Sequence, residues 1–153
     1  MEATWQAVGA MPPSQALRLR KTHGKQQQEL TGFVIAYSSE LRSEVGALIH
    51  YIFLVLLEAF HRSGARFRKV KPAKIVRQWQ IASELFGSIT DQEAAEAMSA
   101  ASQVKEPAVF SYIVDALGPE QEDPIILTNQ EFGQSLSILA TVVTCLHDGR
   151  KTR

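Results

Sequence analysis

The chain has 153 residues, of which 45% are apolar and 21% charged, and its formal net charge is zero. This length suits a single domain with a core of ordinary size, and this apolar fraction excludes a wholly disordered protein. The one cysteine, Cys145, cannot form an internal disulfide. A lone thiol favours a reducing compartment, so we expect a cytoplasmic protein.

The charges divide the chain into two halves of opposite sign. Residues 1–83 contain 12 Lys/Arg and 5 Asp/Glu, whereas residues 84–153 contain 4 Lys/Arg and 11 Asp/Glu. Such asymmetry indicates interaction with charged partners rather than a particular chemistry. The positive charge is concentrated in an acid-free stretch between Glu58 and Glu84, whose cations are Arg62, Arg66, Arg68, Lys69, Lys71, Lys74 and Arg77.

Residues 1–30 are predicted to form a flexible basic arm, because they contain Met11-Pro12-Pro13 and a run of three glutamines. The arm offers a possible second contact to an anionic partner through Arg18, Arg20, Lys21 and Lys25. A short apolar run at residues 32–37 fits a strand or the start of a helix, since periodicity does not separate the two. The helical domain is predicted to cover residues 31–149, followed by a solvated basic tail at 150–153.

The first long helix is predicted to begin with Ser38 or Ser39 as its N-cap and to end near Arg62, because Ser63-Gly64 follows. Its section at residues 43–60 is apolar on nearly all sides. A bilayer span takes about 20 apolar residues, and a carboxylate such as Glu58 within the span is unfavourable. We therefore predict a buried central helix and no membrane span.

Three further helices are indicated by local signals at their ends. Pro72 and Pro107 suit the first position of a helix, where the missing N–H would have no partner within the helix. Gly87 ends the helix that starts at Pro72, and Gly118-Pro119 ends the one that starts at Pro107. Between them, Thr90 and Glu93 have the spacing of a capping box and open a helix that is rich in alanine.

The last helix follows an acidic loop at residues 118–124 and has the best signature in the chain. Thr128 and Glu131 form a second capping box, and Leu127 and Phe132 occupy the positions of a hydrophobic staple. Apolar residues then recur at spacings of 4, 3, 4 and 3, which is typical of a helix seam that packs within a bundle or across a dimer. The seam consists of Phe132, Leu136, Leu139, Val143 and Leu146. Together, these signals predict an all-α, single-domain bundle of about five helices.

No residue pattern in the chain indicates catalysis, a metal or a cofactor. There is no paired Cys-x-x-Cys, no Gly-x-Ser-x-Gly elbow and no glycine-rich phosphate loop. Cys145 lies among apolar residues of the last helix, where a buried thiol behaves as a small, inert side chain. We therefore assign no catalytic residue, no metal ligand and no cofactor, and favour a non-enzyme over an enzyme.

The basic stretch is the best candidate for a binding site. Residues 66–71 alternate cationic and apolar side chains in a loop or short strand, and Lys74 and Arg77 extend the charge along the next helix. Several cations on one surface suit a phosphate backbone, and Phe67 could stack on a base. The same stretch could also be a solvated loop, or could dock on the acidic Glu120–Asp123 loop of the same or another molecule.

Three functions follow from these observations. The leading hypothesis is a non-catalytic helical interaction subunit that acts within a larger assembly through oppositely charged surfaces. The alternative is a protein that binds RNA or DNA without sequence preference, through the patch from Arg62 to Arg77. The third is a small helical enzyme without a recognisable motif. Self-association through the seam or the charged halves is a further possibility.

Overall fold

The computed structural model describes residues 27–62, 66–89, 106–118 and 126–151, together with positions 12, 14, 15, 18, 21 and 95. For the two short strands described below, the description covers the backbone only. The predicted acidic loop and nearly all of the predicted alanine-rich helix lie outside these residues. Within that helix, Ala95 is described, and it is helical and fully buried.

The fold is an all-α bundle, as predicted, with one small two-stranded ribbon. Two helices form the N-terminal part of the described chain and three follow the ribbon's first strand. The bounds are α1 Gln28–Ser38, α2 Ser43–Arg62, β1 Arg66–Phe67, α3 Pro72–Phe86, α4 Pro107–Leu117, α5 Asn129–Asp148 and β2 Arg150–Lys151.

Helices with strong local signals at their ends begin and end where predicted. Pro72 and Pro107 each occupy the first turn of their helix, and Gly87 is the C-cap of α3. The capping box of α5 is complete: the Glu131 N–H donates to the Thr128 hydroxyl at 3.1 Å, and the Thr128 N–H donates to the Glu131 carboxylate at 2.8 Å. These signals act within one turn of helix, so the sequence alone is sufficient to locate them.

The predicted start of the first long helix is wrong. Ser38 and Ser39 end helix α1 instead of capping α2, and their hydroxyls donate to Ile35 O and Ala36 O at 3.3 and 2.7 Å. The chain then turns and α2 packs back on α1. Gly46 permits this packing, because a Cβ atom there would lie 3.2 Å from Ser38 O. Helix α1 begins at Gln28, inside the predicted arm, and its Leu30 is fully buried.

Helices α2 and α5, which have equal length, contribute more residues to the core than the other described helices. Helix α2 is buried over much of its length, as predicted for residues 43–60. By length and composition alone it could also cross a membrane, a test that the core helix of a soluble protein passes equally well. Helix α5 is more enclosed still, because it packs against all four other described helices.

Helix α5 approaches the end of α3 very closely. A Cβ atom at Gly133 would lie 2.6 Å from Gly87 O and 2.9 Å from Ile89 O. Real Cβ atoms essentially never come this close to backbone atoms. Glycine at position 133 is therefore what allows the turn after α3 to rest directly on the first turns of α5.

The start of α5 is tied to the turn between α1 and α2 by an ion pair. Arg42 donates two hydrogen bonds to Glu131, at 2.7 and 2.9 Å, and a third to Ile126 O at 2.7 Å. Glu131 is only 8% exposed. The hydrogen bonds from Arg42, followed by the one from Thr128 N–H, lower the pKa of Glu131 to about 2. This carboxylate therefore joins the turn between α1 and α2 to the start of α5.

Candidate nucleic-acid interface

The basic segment after α2 does not form an isolated loop. Its strand β1 pairs antiparallel with β2, with Arg66 opposite Lys151 and Phe67 opposite Arg150. The pairing continues at Arg68, whose N–H donates to Gly149 O at 3.0 Å. Residues 150 and 151, predicted as part of a solvated tail, are thus joined to the basic segment by backbone hydrogen bonds.

A buried glutamine holds the other side of the segment. The Gln27 amide nitrogen donates to Arg68 O at 3.0 Å, and its amide oxygen accepts from Val70 N–H at 3.1 Å. Gln27 is 5% exposed and Val70 is 7% exposed. The side-chain amide thus pairs with the backbone as a neighbouring strand would, which fixes the course of the chain from Arg68 to Val70.

The cations of the basic stretch fall into two groups. Arg62 donates to Glu58 and Lys74 donates to Asp148, each at 2.7 Å, so the protein supplies its own counter-charge at these positions. The other cations with described side chains are exposed, and none of them forms an ion pair with a described residue. We call this second group the exposed cations: Arg68, Lys69, Lys71 and Arg77.

The structure brings more cationic positions together than the sequence stretch contains. Strand β2 adds Arg150 and Lys151 to the segment that carries Arg66, Arg68 and Lys69. We call the ribbon, together with the adjoining segment that carries Arg68, Lys69 and Lys71, the basic surface; Arg77 lies on α3 and is not part of it. Phe67, the predicted base-stacking residue, lies within strand β1.

The predicted second contact is described at two of its four positions. Arg18 and Lys21 are helical and exposed. Arg20 and Lys25 lie outside the described residues. The N-terminal arm therefore remains a predicted contact, and the basic surface is defined without it.

The seam of α5 is filled within the chain itself. Phe132 is 5% exposed, and the other four residues are between 0 and 2% exposed: Leu136, Leu139, Val143 and Leu146. The partners that cover these side chains are the neighbouring helices of the same molecule. The internal version of the predicted seam is therefore the one observed.

Cys145 is buried, and His147 and His50 each lie within hydrogen-bonding distance of another side chain. Burial raises the pKa of the Cys145 thiol to about 11, which keeps it protonated and weakly nucleophilic near neutral pH. His147 lies 3.0 Å from Glu106 near the end of α5, and His50 lies 3.0 Å from the Ser38 hydroxyl. Among the described residues, no three His, Cys, Asp or Glu side chains are grouped to hold a metal ion.

Sequence reasoning missed two parts of this site, the pairing of β2 and the clamp formed by Gln27. A signal for the first was present. Residues 66–71 alternate as a strand does, and a strand requires a partner. No sequence pattern indicated the role of Gln27. It is one of three consecutive glutamines, and only the folded structure shows which of them bonds to the basic segment.

Comparisons with protein-family models, curated proteins and solved structures found no match for this chain.

Proposed function

We propose that this protein is a non-catalytic helical domain that binds nucleic acid through the phosphate backbone, using the basic surface. The pairing of two basic segments carries the proposal. Arg150 and Lys151 join a segment that already contains Arg66, Arg68 and Lys69. Phosphate binding requires several cations on one surface, and affinity then comes largely from the release of counterions.

The form of the basic surface favours recognition without sequence preference. Its cations lie on short strands and connecting segments, not along a helix that could enter the major groove. Side chains on such segments reach phosphates more readily than base edges. The expected ligand is therefore RNA or DNA in which the backbone is accessible, and no cofactor is involved.

The test is a fluorescence anisotropy titration of the full chain with labelled single-stranded and duplex oligonucleotides at several salt concentrations. Each phosphate contact adds about −0.7 to −0.9 to the slope of log affinity against log salt. Replacing Arg68 and Lys71 together by Ala should reduce the magnitude of the slope by about 1.4 to 1.8. Both side chains are exposed, so the unfolding midpoint should hardly change.

The matched control replaces Arg18 and Lys21 together by Ala. Both residues are also exposed, and their replacement removes the same charge. An unchanged slope in the Arg68/Lys71 variant and a reduced slope in the control would move the site to the N-terminal arm. Absence of binding to every oligonucleotide at low salt would overturn the proposal.

Phe67→Ala should weaken single-stranded binding more than duplex binding if the ring stacks on a base.

A second candidate function is the interaction subunit of a larger assembly, which binds an acidic protein partner through the same charges. One observation favours it. Ile81 and Leu85 of α3 are 43% and 40% exposed, and Arg77 precedes Ile81 by one turn. A surface that combines cations with exposed apolar side chains suits a protein partner. An association that oligonucleotides fail to displace, and that Ile81→Ser with Leu85→Ser abolishes, would support this second function.

A further inference from the structure

We propose that β2 is a functional part of the nucleic-acid site, so that one phosphate backbone contacts both the segment after α2 and the chain after α5. This inference rests on the proposed function and deepens it. It assigns a binding role to Arg150 and Lys151, residues at the opposite end of the described chain from Gln27.

The first argument is the distance imposed by backbone pairing. Neighbouring strands of a sheet lie about 4.8 Å apart. Arg66 lies opposite Lys151, and Phe67 lies opposite Arg150. The backbone therefore holds cationic residues of two distant segments within the width of one ribbon, whatever conformations their side chains adopt.

The second argument concerns electrostatic balance. Like charges directly opposite each other in an antiparallel pair are destabilising. Arg66 and Lys151 form one such like-charge pair. At Arg62 and Lys74 the protein offsets its own cations with Glu58 and Asp148. The exposed cations that follow Arg66 in the chain, Arg68, Lys69 and Lys71, have no carboxylate partner among the described residues. An anionic ligand would remove this repulsion, and the gain would appear as affinity.

The third argument is that the ribbon is fixed independently of any ligand. Gly149 O accepts from Arg68 N–H at 3.0 Å, and the Gln27 amide holds Arg68 O and Val70 N–H from elsewhere in the fold. The cationic positions are therefore arranged before binding, which reduces the entropy lost when the ligand docks. A tail that moved freely would have no such advantage.

The experiment compares two double variants of the full chain that lower the net charge equally. Arg150→Gln with Lys151→Gln alters β2, whereas the control, Asn129→Asp with Gln130→Glu, alters two exposed positions at the opposite end of α5. Binding of a labelled oligodeoxythymidine of about 20 nucleotides is measured across a salt series. The β2 variant should lower the magnitude of the log–log slope by about 0.7 for each of its two residues that contacts a phosphate, and the control variant should keep the slope.

The possible outcomes separate this inference from the proposed function. If the unaltered protein binds no oligonucleotide, the proposed function fails. If it binds, but both variants keep its slope, or the control variant alone loses slope, the role of β2 is overturned. Equal losses in both variants would also overturn it, because net charge alone would then explain the effect.

A second measurement uses the unaltered protein and so does not depend on how any variant folds. The Arg68 amide donates across the ribbon to Gly149 O. Oligonucleotide bound to both segments should hold them together and slow hydrogen exchange at this amide several-fold. Unchanged exchange at saturating oligonucleotide would contradict the two-segment site.

Discussion

Helices α2 and α5 each have 20 residues, yet the less apolar one is the better buried. Helix α2 contains an almost unbroken apolar run, and 11 of its residues are buried. Helix α5 contains serines, threonines and glycine, and 14 of its residues are buried. Burial in this fold therefore follows the position of a helix among its neighbours more closely than its hydropathy.

Two of the buried hydroxyls of α5 are satisfied by the backbone of the helix itself. The Ser137 hydroxyl donates to Gly133 O, and the Thr141 hydroxyl donates to Ser137 O, each at 2.8 Å. Glu131 is neutralised by Arg42. Small side chains also let neighbouring helices approach closely, as at Gly133. A central helix can therefore be buried through the close packing of small side chains and does not depend on large apolar ones.

The largest expected effects come from truncating one fully buried leucine in each helix. Leu136 of α5 and Leu56 of α2 are both 0% exposed. Each Leu→Ala change should lower the free energy of unfolding by about 2–5 kcal/mol, because it removes apolar contacts and leaves a cavity. Urea denaturation measures the loss. Val76→Ala, at a position 56% exposed, is the control and should change it little.

A comparison of three glycines tests the close approach of α5. Gly133→Ala should cost about 1–3 kcal/mol, since the new methyl group meets two backbone carbonyls. Gly46→Ala, with its nearest atom at 3.2 Å, should cost less. Gly32→Ala has open space around it and should stabilise α1 by about 0.5–1 kcal/mol through helix propensity. Thermal unfolding would reveal the order, and a tolerated Gly133→Ala would contradict the packing described.

The buried carboxylate of α5 should make stability depend on pH. The pKa of Glu131 is about 2 in the folded protein, against an ordinary value of 4.5. Its stabilising contribution is therefore present above about pH 4.5 and is lost as the pH falls towards 2. Urea midpoints across this range should fall less steeply for Glu131→Gln. Glu29→Gln, at an exposed position of α1, should retain the steep fall of the unaltered protein.

The smallest effect is expected where a buried hydroxyl of α5 has no partner. Ser135 is 0% exposed, and its hydroxyl forms no hydrogen bond to any described residue. Ser135→Ala should change the free energy of unfolding by less than about 1 kcal/mol, or raise it, since nothing is left unpaired and alanine favours helix. A loss as large as that of the neighbouring Leu136→Ala would indicate a partner for this hydroxyl.

The all-α fold and several helix ends could be predicted because their causes are local. Pro72, Pro107 and the capping box at Thr128 act within one turn of helix. The turn after Ser38 could not be predicted, because it depends on packing against Gly46. A serine at this position also fits either end of a helix. Serine hydroxyls bond to nearby backbone groups at both ends.

For the candidate site, the sequence was sufficient for the charges but not for their arrangement. The exposure of Arg68, Lys69 and Lys71 and the burial of Val70 follow residue type and not strict alternation, because the neighbours Arg68 and Lys69 are both exposed. The pairing of β1 with β2 joins residues about 85 positions apart, and no local rule connects them. The ion pairs of Arg62 and Lys74 divide the cations into two groups, a division that only the folded structure reveals.

The central place of α5 has a consequence for biosynthesis. This helix lies after all the other described helices in the chain, yet each of them packs against it. While the ribosome is still translating the segment before Asn129, α2 has no α5 against which to bury residues such as Ile52 and Leu56. The nascent chain therefore carries an exposed apolar helix until late in synthesis and should engage chaperones. Arrested chains that stop before residue 129 should be insoluble.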